Sequence, residues 1–325
     1  MKSKIQSLPI HMSTEARRAL KQGQPVVALE STVITHGLPH PENLALARDL
    51  EAEVRAYGAT PATIAVLEGR VYVGLEDELL ESLGDATRLS GGLASDLHKI
   101  SSRDIGTAVA KGWSGGTTVA ATLAIAERAG IQVFATGGIG GVHRTAPFEQ
   151  AFDISTDLVL LGRTPVIVVC AGAKAILDLP ATLEVLETYG VPVVGFQTDD
   201  FPAFYSVSSG LQVSARTDSP AEIAALARAH WGMGQPSAVL VGNPPPEEDA
   251  LAPEEINGII ERALAELQAQ GIRGQAVSPF LLARVSELSE GASLHANLGL
   301  LKNNARLAAQ VAVELSREGV RPLSI

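Results

Sequence analysis

The feature that most constrains this chain is a recurring unit: a short apolar run, a corner of small residues, then a helical stretch. The clearest instance is Arg163–Asp178, RTPVIVVCAGAKAILD. Pro165 cannot continue a helix, and Val166, Ile167, Val168 and Val169 form the continuous apolar run of a strand covered on both faces. Ala171, Gly172 and Ala173 make the corner, and Lys174 follows where the pattern predicts the start of a helix. Such units build open α/β sheets, which bind ligands beyond the carboxyl ends of their strands. Lys174 is therefore expected at a ligand-facing strand end, where its amine can attack a carbonyl-type carbon. The alternative is a lysine that ends a strand and snorkels to water.

The unit repeats. Pro25–Glu30 reads as a strand ending on a carboxylate, Val133–Thr136 as a strand before the glycine-rich loop Thr136–Arg144, and Val191–Gln197 and Ser237–Val241 as further strands. Ala62–Glu68 and Arg70–Val73 flank Glu68-Gly69 as a hairpin. Helices are expected at Ser13–Gln22, Pro41–Tyr57, Val119–Ala129, Thr182–Tyr189, Pro220–Ala229, Pro253–Gln270, Ser278–Glu290 and Leu294–Glu318. The alternation predicts a three-layer α/β/α sandwich around a central mixed, mostly parallel sheet. Residues 1–24 are expected to extend from a single domain spanning 25–325.

Composition narrows the function. Of 325 residues 46% are hydrophobic and 19% charged, enough for a sizeable core, while aromatics are only 4%. A net charge of −11 argues against general nucleic-acid binding but leaves an anionic small substrate open. The single cysteine, Cys170, excludes an intrachain disulfide, suits a reducing cytosol, and reads as a buried inert thiol. The N-terminal MKSKIQSLPIHM lacks the apolar core of a signal peptide, and no apolar stretch is long enough to span a membrane. A soluble, cytoplasmic protein is expected.

Four loops carry polar or glycine residues: Glu30–Gly37, Gly115–Thr118, Thr136–Arg144 and Asp153–Asp157. In such folds they gather at one edge of the sheet, where backbone N–H groups bind phosphate. The loop Thr136–Arg144 lacks the third glycine of a dinucleotide fingerprint, and no Walker lysine follows it, which leaves a mononucleotide or sugar-phosphate site. Metal signals are thin. Asp153 either holds one hard divalent cation that keeps most of its waters or caps the helix after it. Glu30, beside apolar residues, has the setting of a proton donor. His36 and His143, both in loops, either touch substrate or hydrogen-bond locally.

In this order, ALESTVITHGLPHPENL, KISSRD, GGTTVAATLAIAERAGIQVFATGGIGGVHR, FDISTDL, TPVIVVCAGAKAILD, FPAFYS, NPPP and SPFLLARVSELSEGASLHANLGLLKNNA resemble the pseudouridine-5′-phosphate glycosidase family, also called indigoidine synthase A-like. The resemblance runs from about Pro25 to about Val313. It implies reversible cleavage of pseudouridine 5′-phosphate to uracil and ribose 5-phosphate, by a homotrimer with one Mn²⁺ per subunit. By motif position it implies Lys174 as the covalent, Schiff-base-forming nucleophile, Glu30 as the proton donor and Asp153 as the metal ligand. Lys99, Val119, Ser155, Thr156 and Asp157 are implied substrate contacts, and Asn297 is a further candidate. Ser102 and Gly116 depart from the family's usual arginine and alanine without removing a catalytic group. Two other readings are a Schiff-base lyase acting on another sugar phosphate and a catalytically silent sugar-phosphate binder. The silent binder would need neither Glu30 nor Lys174.

Overall fold

The apolar runs pair edge to edge in a computed structural model that describes residues 9–85, 97–144, 153–272 and 277–317. The first third comprises β1 (Ile10–Met12), α1 (Thr14–Lys21), β2 (Val26–Leu29), α2 (Thr32–His36), α3 (Glu42–Ala56), β3 (Thr60–Leu67), β4 (Arg70–Val73), α4 (Asp77–Gly84) and β5 (His98–Ile100). Next come α5 (Ile105–Lys111), β6 (Gly115–Thr117), α6 (Val119–Ala129), β7 (Val133–Ala135), β8 (Val142–His143), α7 (Thr156–Leu161), β9 (Ile167–Cys170) and β10 (Leu177–Asp178). The remainder is α8 (Leu179–Thr188), β11 (Val193–Phe196), β12 (Ala215–Thr217), α9 (Pro220–Gly232), β13 (Val239–Gly242), α10 (Pro253–Gln270), α11 (Val277–Leu288) and α12 (Ala292–Ser316).

Among the described residues the main sheet has 11 strands, with the path β1-β4-β3-β2-β7-β9-β13-β11-β12 and with β6 joining β3 to β5. Of its described pairs only β3–β4 and β3–β6 are antiparallel, so the sheet is mixed and mostly parallel, as the run pattern requires. Strands β2, β7, β9 and β13 read VVAL, VFA, IVVC and VLVG and are buried throughout, because helices cover both faces. On one side α12 lies across β2, β7 and β9 between α3 and α9; on the other, α6 packs on β2 and β3 and joins α7, which joins α8. Small residues permit the close approach: Ala120, Ala121 and Ala126 in α6 and Ala305, Ala308 and Ala309 in α12 are fully buried. A satellite cluster of Ile34, Leu44, Leu67, Leu75, Leu80 and Leu83 seats α2 and α4 beside the sheet.

Two local expectations change. The segment before Pro25 contributes β1, paired parallel with β4, and α1, whose N-cap Ser13 accepts from the N–H of Ala16. Most of the stretch Met1–Met12, and Glu318, lie outside the described residues. Lys174 does not begin a helix: it sits in a turn before β10, and α8 starts only at Leu179. Asp178 is the cap, accepting from the N–H of Ala181, and Pro180 occupies the first turn, where its missing N–H costs nothing.

Candidate active site

Strands β2, β7 and β9 are parallel neighbours, so their carboxyl ends share one edge. Glu30 follows the last residue of β2, Thr136 the last of β7, and Lys174 lies four residues beyond β9. The Thr136 hydroxyl donates to Oε1 of Glu30. Burial pushes the Glu30 carboxyl above the usual range; Lys174, the Thr136 hydrogen bond and Lys99 pull it down, and Asp157 adds to the rise. Lys99, in β5, is held below its usual value by burial and by Lys174, while Asp157 and Glu30 act in the opposite sense. Two carboxylates and two lysines from four separate segments are thus within electrostatic reach. An acid whose proton affinity is raised by burial, beside two amines, can donate to a leaving atom while one amine attacks.

The Lys174 turn is braced rather than loose. The glycine loop continues the β7–β9 pairing: Ala171 N–H donates to Gly137 O (2.9 Å), Ile139 N–H to Gly172 O (3.1 Å) and Lys174 N–H to Ile139 O (3.0 Å). Gly172 has φ +88°, and a methyl there would strike the carbonyl oxygen of Pro202. Phe204, itself left-handed at φ 65°, donates its N–H to Ala171 O (2.9 Å) and sets its ring against Gly138. On the far side Arg144 donates to the carbonyls of Leu177 (3.0 Å) and Ala175 (2.9 Å).

Asp157 is buried in the first turn of α7 and ties the N-terminus of α6 to the glycine loop. Its oxygens accept from the N–H groups of Ala120 (2.9 Å) and Gly140 (2.8 Å). The Ala121 N–H is taken by the Thr118 hydroxyl, and Val119 is the first residue of α6, where a backbone N–H has no acceptor within its own helix. Ser155 caps α7, accepting from the Asp157 N–H, and Thr156 opens the helix. A side chain at Gly140 would collide with Ser155 and Asp157. The arrangement gives a backbone-lined corner suited to an anion, with Lys99 as its cation. Asn297, on α12, brings its side-chain oxygen to Gly137.

Asp153 is set apart. Its side chain is 57% exposed, Ser155 rather than Asp153 caps α7, and His143 Nδ1 lies 3.6 Å from its carboxylate. His143 bonds the Asp153 carbonyl through its N–H (3.0 Å) and Nδ1 (3.1 Å), and His143 Nε2 is buried without a partner. Among the described residues no three His, Cys, Asp or Glu side chains converge as a metal cage. One hard, exposed carboxylate fits a dication that keeps most of its waters and does not fit a dehydrated one. His36 hydrogen-bonds Thr35 (2.7 Å), and burial and Lys99 lower its pKa. Cys170 is buried with its thiol pushed up to about 12, which matches an inert thiol.

Sequence reasoning missed Thr136, the partner of Glu30, and Asn304 behind it. Both carry a weak signal: one ends a strand beside a glycine loop, the other is polar within the apolar stripe of a helix. A groove of about 640 Å³ lined by Leu183, Glu187, Pro192 and His230 shares none of the site residues and lies toward the amino ends of β11 and β12.

Comparison with known proteins places the chain in a family and a fold. A family model described as indigoidine synthase A like protein matches residues 15–314. A protein of Herpetosiphon aurantiacus named pseudouridine-5′-phosphate glycosidase is 57% identical over 94% of this chain and 97% of its own length. One of Caldanaerobacter subterraneus with the same name is 51% identical over 95% and 97%. Among solved structures, the prealnumycin C-glycosynthase AlnA in complex with ribulose 5-phosphate superposes with a TM-score of 0.85 at 42% identity, covering 96% of this chain and 98% of that one. An indigoidine synthase A-like protein from Thermotoga maritima gives 0.85 at 36%, covering 97% and 100%.

Proposed function

The chain belongs to the indigoidine synthase A-like family, and from that premise we propose that it is a pseudouridine-5′-phosphate glycosidase, cleaving a carbon–carbon glycoside to uracil and ribose 5-phosphate. The carrying observation is the convergence of Lys174, Glu30, Lys99 and Asp157 at the carboxyl edge of the sheet. In the substrate, ribose C1′ is bonded to uracil C5. Two carboxylates suffice where the leaving atom is oxygen or nitrogen, but expulsion of carbon from a closed ring would leave a poor carbanion. A lysine changes the problem. The Lys174 amine bonds to C1′ as the C1′–O4′ bond breaks, and the ammonium so formed passes a proton to the ring oxygen, which restores the nitrogen lone pair. The nitrogen lone pair then forms C1′=N, the C1′–C5 bond breaks, and its electron pair passes to uracil C5, where Glu30 or a water it holds supplies the proton. Water hydrolyses the imine to ribose 5-phosphate and frees Lys174, so the sum is substrate plus water giving two products.

Lys99, the Val119 N–H and the Ser155-Thr156-Asp157 turn suit the phosphate and ribose hydroxyls, and Asn297 suits the base. The AlnA complex with a pentose 5-phosphate supports that ligand class and the reversible direction. Asp153 would hold a hydrated Mn²⁺, whose contribution is positive charge beside the anionic substrate. A homotrimer acting in the cytoplasm is part of the same reading, in keeping with a family of this metabolic kind; no helix among the described residues is long and apolar enough to cross a membrane.

The test is uracil release from pseudouridine 5′-phosphate, with and without Mn²⁺, together with borohydride trapping on ribose 5-phosphate. Wild-type protein should release uracil and carry the trapped adduct on Lys174 by peptide mass mapping. Lys174→Ala should lose turnover and trapping with an unchanged melting profile. Near-wild-type release by that variant would sink the covalent mechanism. Binding without any turnover in the wild type would favour the silent binder.

A further inference from the structure

Thr136 can hold Glu30 only if the end of β7 is itself fixed, and the structure supplies an unusual fixture. We propose that Asn304 is a positioning residue for the acid: its amide, oriented by Asn243, fixes the strand end from which Thr136 donates to Glu30. The inference rests on Glu30 as the proton donor of the reading above.

Asn304 is fully buried in α12 among Leu300, Leu301, Ala305, Leu307 and Ala308. Its Nδ2 donates to Thr136 O at 2.8 Å and reaches Gly137 O at 3.4 Å. Both partners are pure acceptors, so the amide nitrogen must face them and its oxygen must face away. Asn243 meets that oxygen, donating from Nδ2 at 3.0 Å. Asn243 is held in turn. Its N–H donates to Cys170 O (2.8 Å), and Asn303 Nδ2 donates to the next carbonyl, Pro244 O (3.0 Å). The two amides therefore tie the ends of β13, β9 and β7 together beyond their ladders. Thr136 N–H donates to Val169 O (3.0 Å), so with its carbonyl on Asn304 the backbone is gripped from both sides and the hydroxyl is aimed at Glu30. Gly137 O, the second acceptor of Asn304, also receives the Ala171 N–H that begins the Lys174 turn.

An apolar replacement of the two amides would leave the buried Thr136 carbonyl without its donor, so the pair stabilises the strand end as well as orienting it. A readout at Glu30 itself separates the two roles. The charged groups acting on Glu30 are Lys174, Asp157 and Lys99, and Asn304 bonds none of them; its route to the acid is the Thr136 strand end.

The experiment follows the Glu30 carboxyl directly by ¹³C-glutamate NMR titration, assigned with Glu30→Gln, alongside uracil-release kinetics. Asn304→Ser should move the Glu30 midpoint up by about one pH unit, because a hydrogen bond to the ionised form is weakened. Its kcat should fall about tenfold while KM changes little. Thr136→Val should shift the midpoint the same way, and Thr136→Val with Asn304→Ser should go no further than Thr136→Val alone. Should Asn304→Ser fail to fold, Asn243→Ser keeps the Thr136 bond but frees the amide, and a smaller upward shift is expected. A folded variant with the wild-type midpoint, or full additivity with Thr136→Val, would overturn the proposal. Absence of uracil release by the wild type would count against the proton-donor reading, while the titration would still decide the positioning.

Discussion

Glu30 shows how one residue trades stability for function. Burial makes its folded-state proton affinity exceed that of the unfolded chain. Stability from that difference is fully present below the unfolded carboxylate value and is lost as pH rises through the higher folded one. Glu30→Gln keeps the shape of the protonated acid without the ionisation. It should therefore melt at or above the wild type at pH 7.5, with no gain at pH 4, while kcat for uracil release falls about a hundredfold or more. Thermal melts at the two pH values check the first part, and a lower melting temperature at pH 7.5 would show that attraction to Lys174 and Lys99 outweighs burial. Glu30 and Lys174 were both legible in the sequence, each as a charged residue closing an apolar run. Thr136 and Asn304 were not, since a threonine at a strand end and an asparagine in a helix have many local uses. Only the path of α12 across β7 gives them theirs.

The Lys174 turn marks where element-level reasoning fails for a physical reason. Ala173-Lys-Ala-Ile-Leu has good local helix propensity, and a helix was expected to start there. Three tertiary contacts win instead: the Ile139–Ala173 bridge, the antiparallel pairing of β10 with β8, and the Arg144 guanidinium on the carbonyls of Ala175 and Leu177. The three-residue strands β5 and β6 were missed similarly, since Gly-Gly-Thr has no periodicity to read. The turn depends on Gly172. Gly172→Ala puts a side chain at φ +88° and drives its methyl into the Pro202 carbonyl, so a loss of about 3 kcal/mol or more is expected in urea unfolding. Uracil release should fall even where the variant remains folded, because Lys174 is two residues away. A variant of wild-type stability would mean that the 202–204 segment can move aside freely.

At the scale of the whole molecule the sequence shows the layers but not the strand order. Periodicity identifies buried strands; it does not say that β13, formed late in the chain, inserts between β9 and β11. In that order the centre of the sheet is incomplete until residue 242 is in place. The last helix extends the argument. α12 buries 11 residues, from Ser293 to Ala312, against strands β2, β7 and β9 and against α3 and α9. Its surface ties to α3, the Arg306–Glu53 pair at 2.8 Å and the Lys302–Asp49 pair at 2.7 Å, lie between partly exposed side chains and contribute about 1 kcal/mol or less each. Apolar burial therefore dominates its anchorage. A chain ending at Gly291 should lose cooperative thermal unfolding and bind hydrophobic dyes, rather than behave as a trimmed but folded protein. The charge-removing Arg306→Met should barely change the melting temperature. If the shortened chain kept a sharp melt, the terminal helix would be an addition to the domain, and the grip of Asn304 on the end of β7 would be dispensable to the fold.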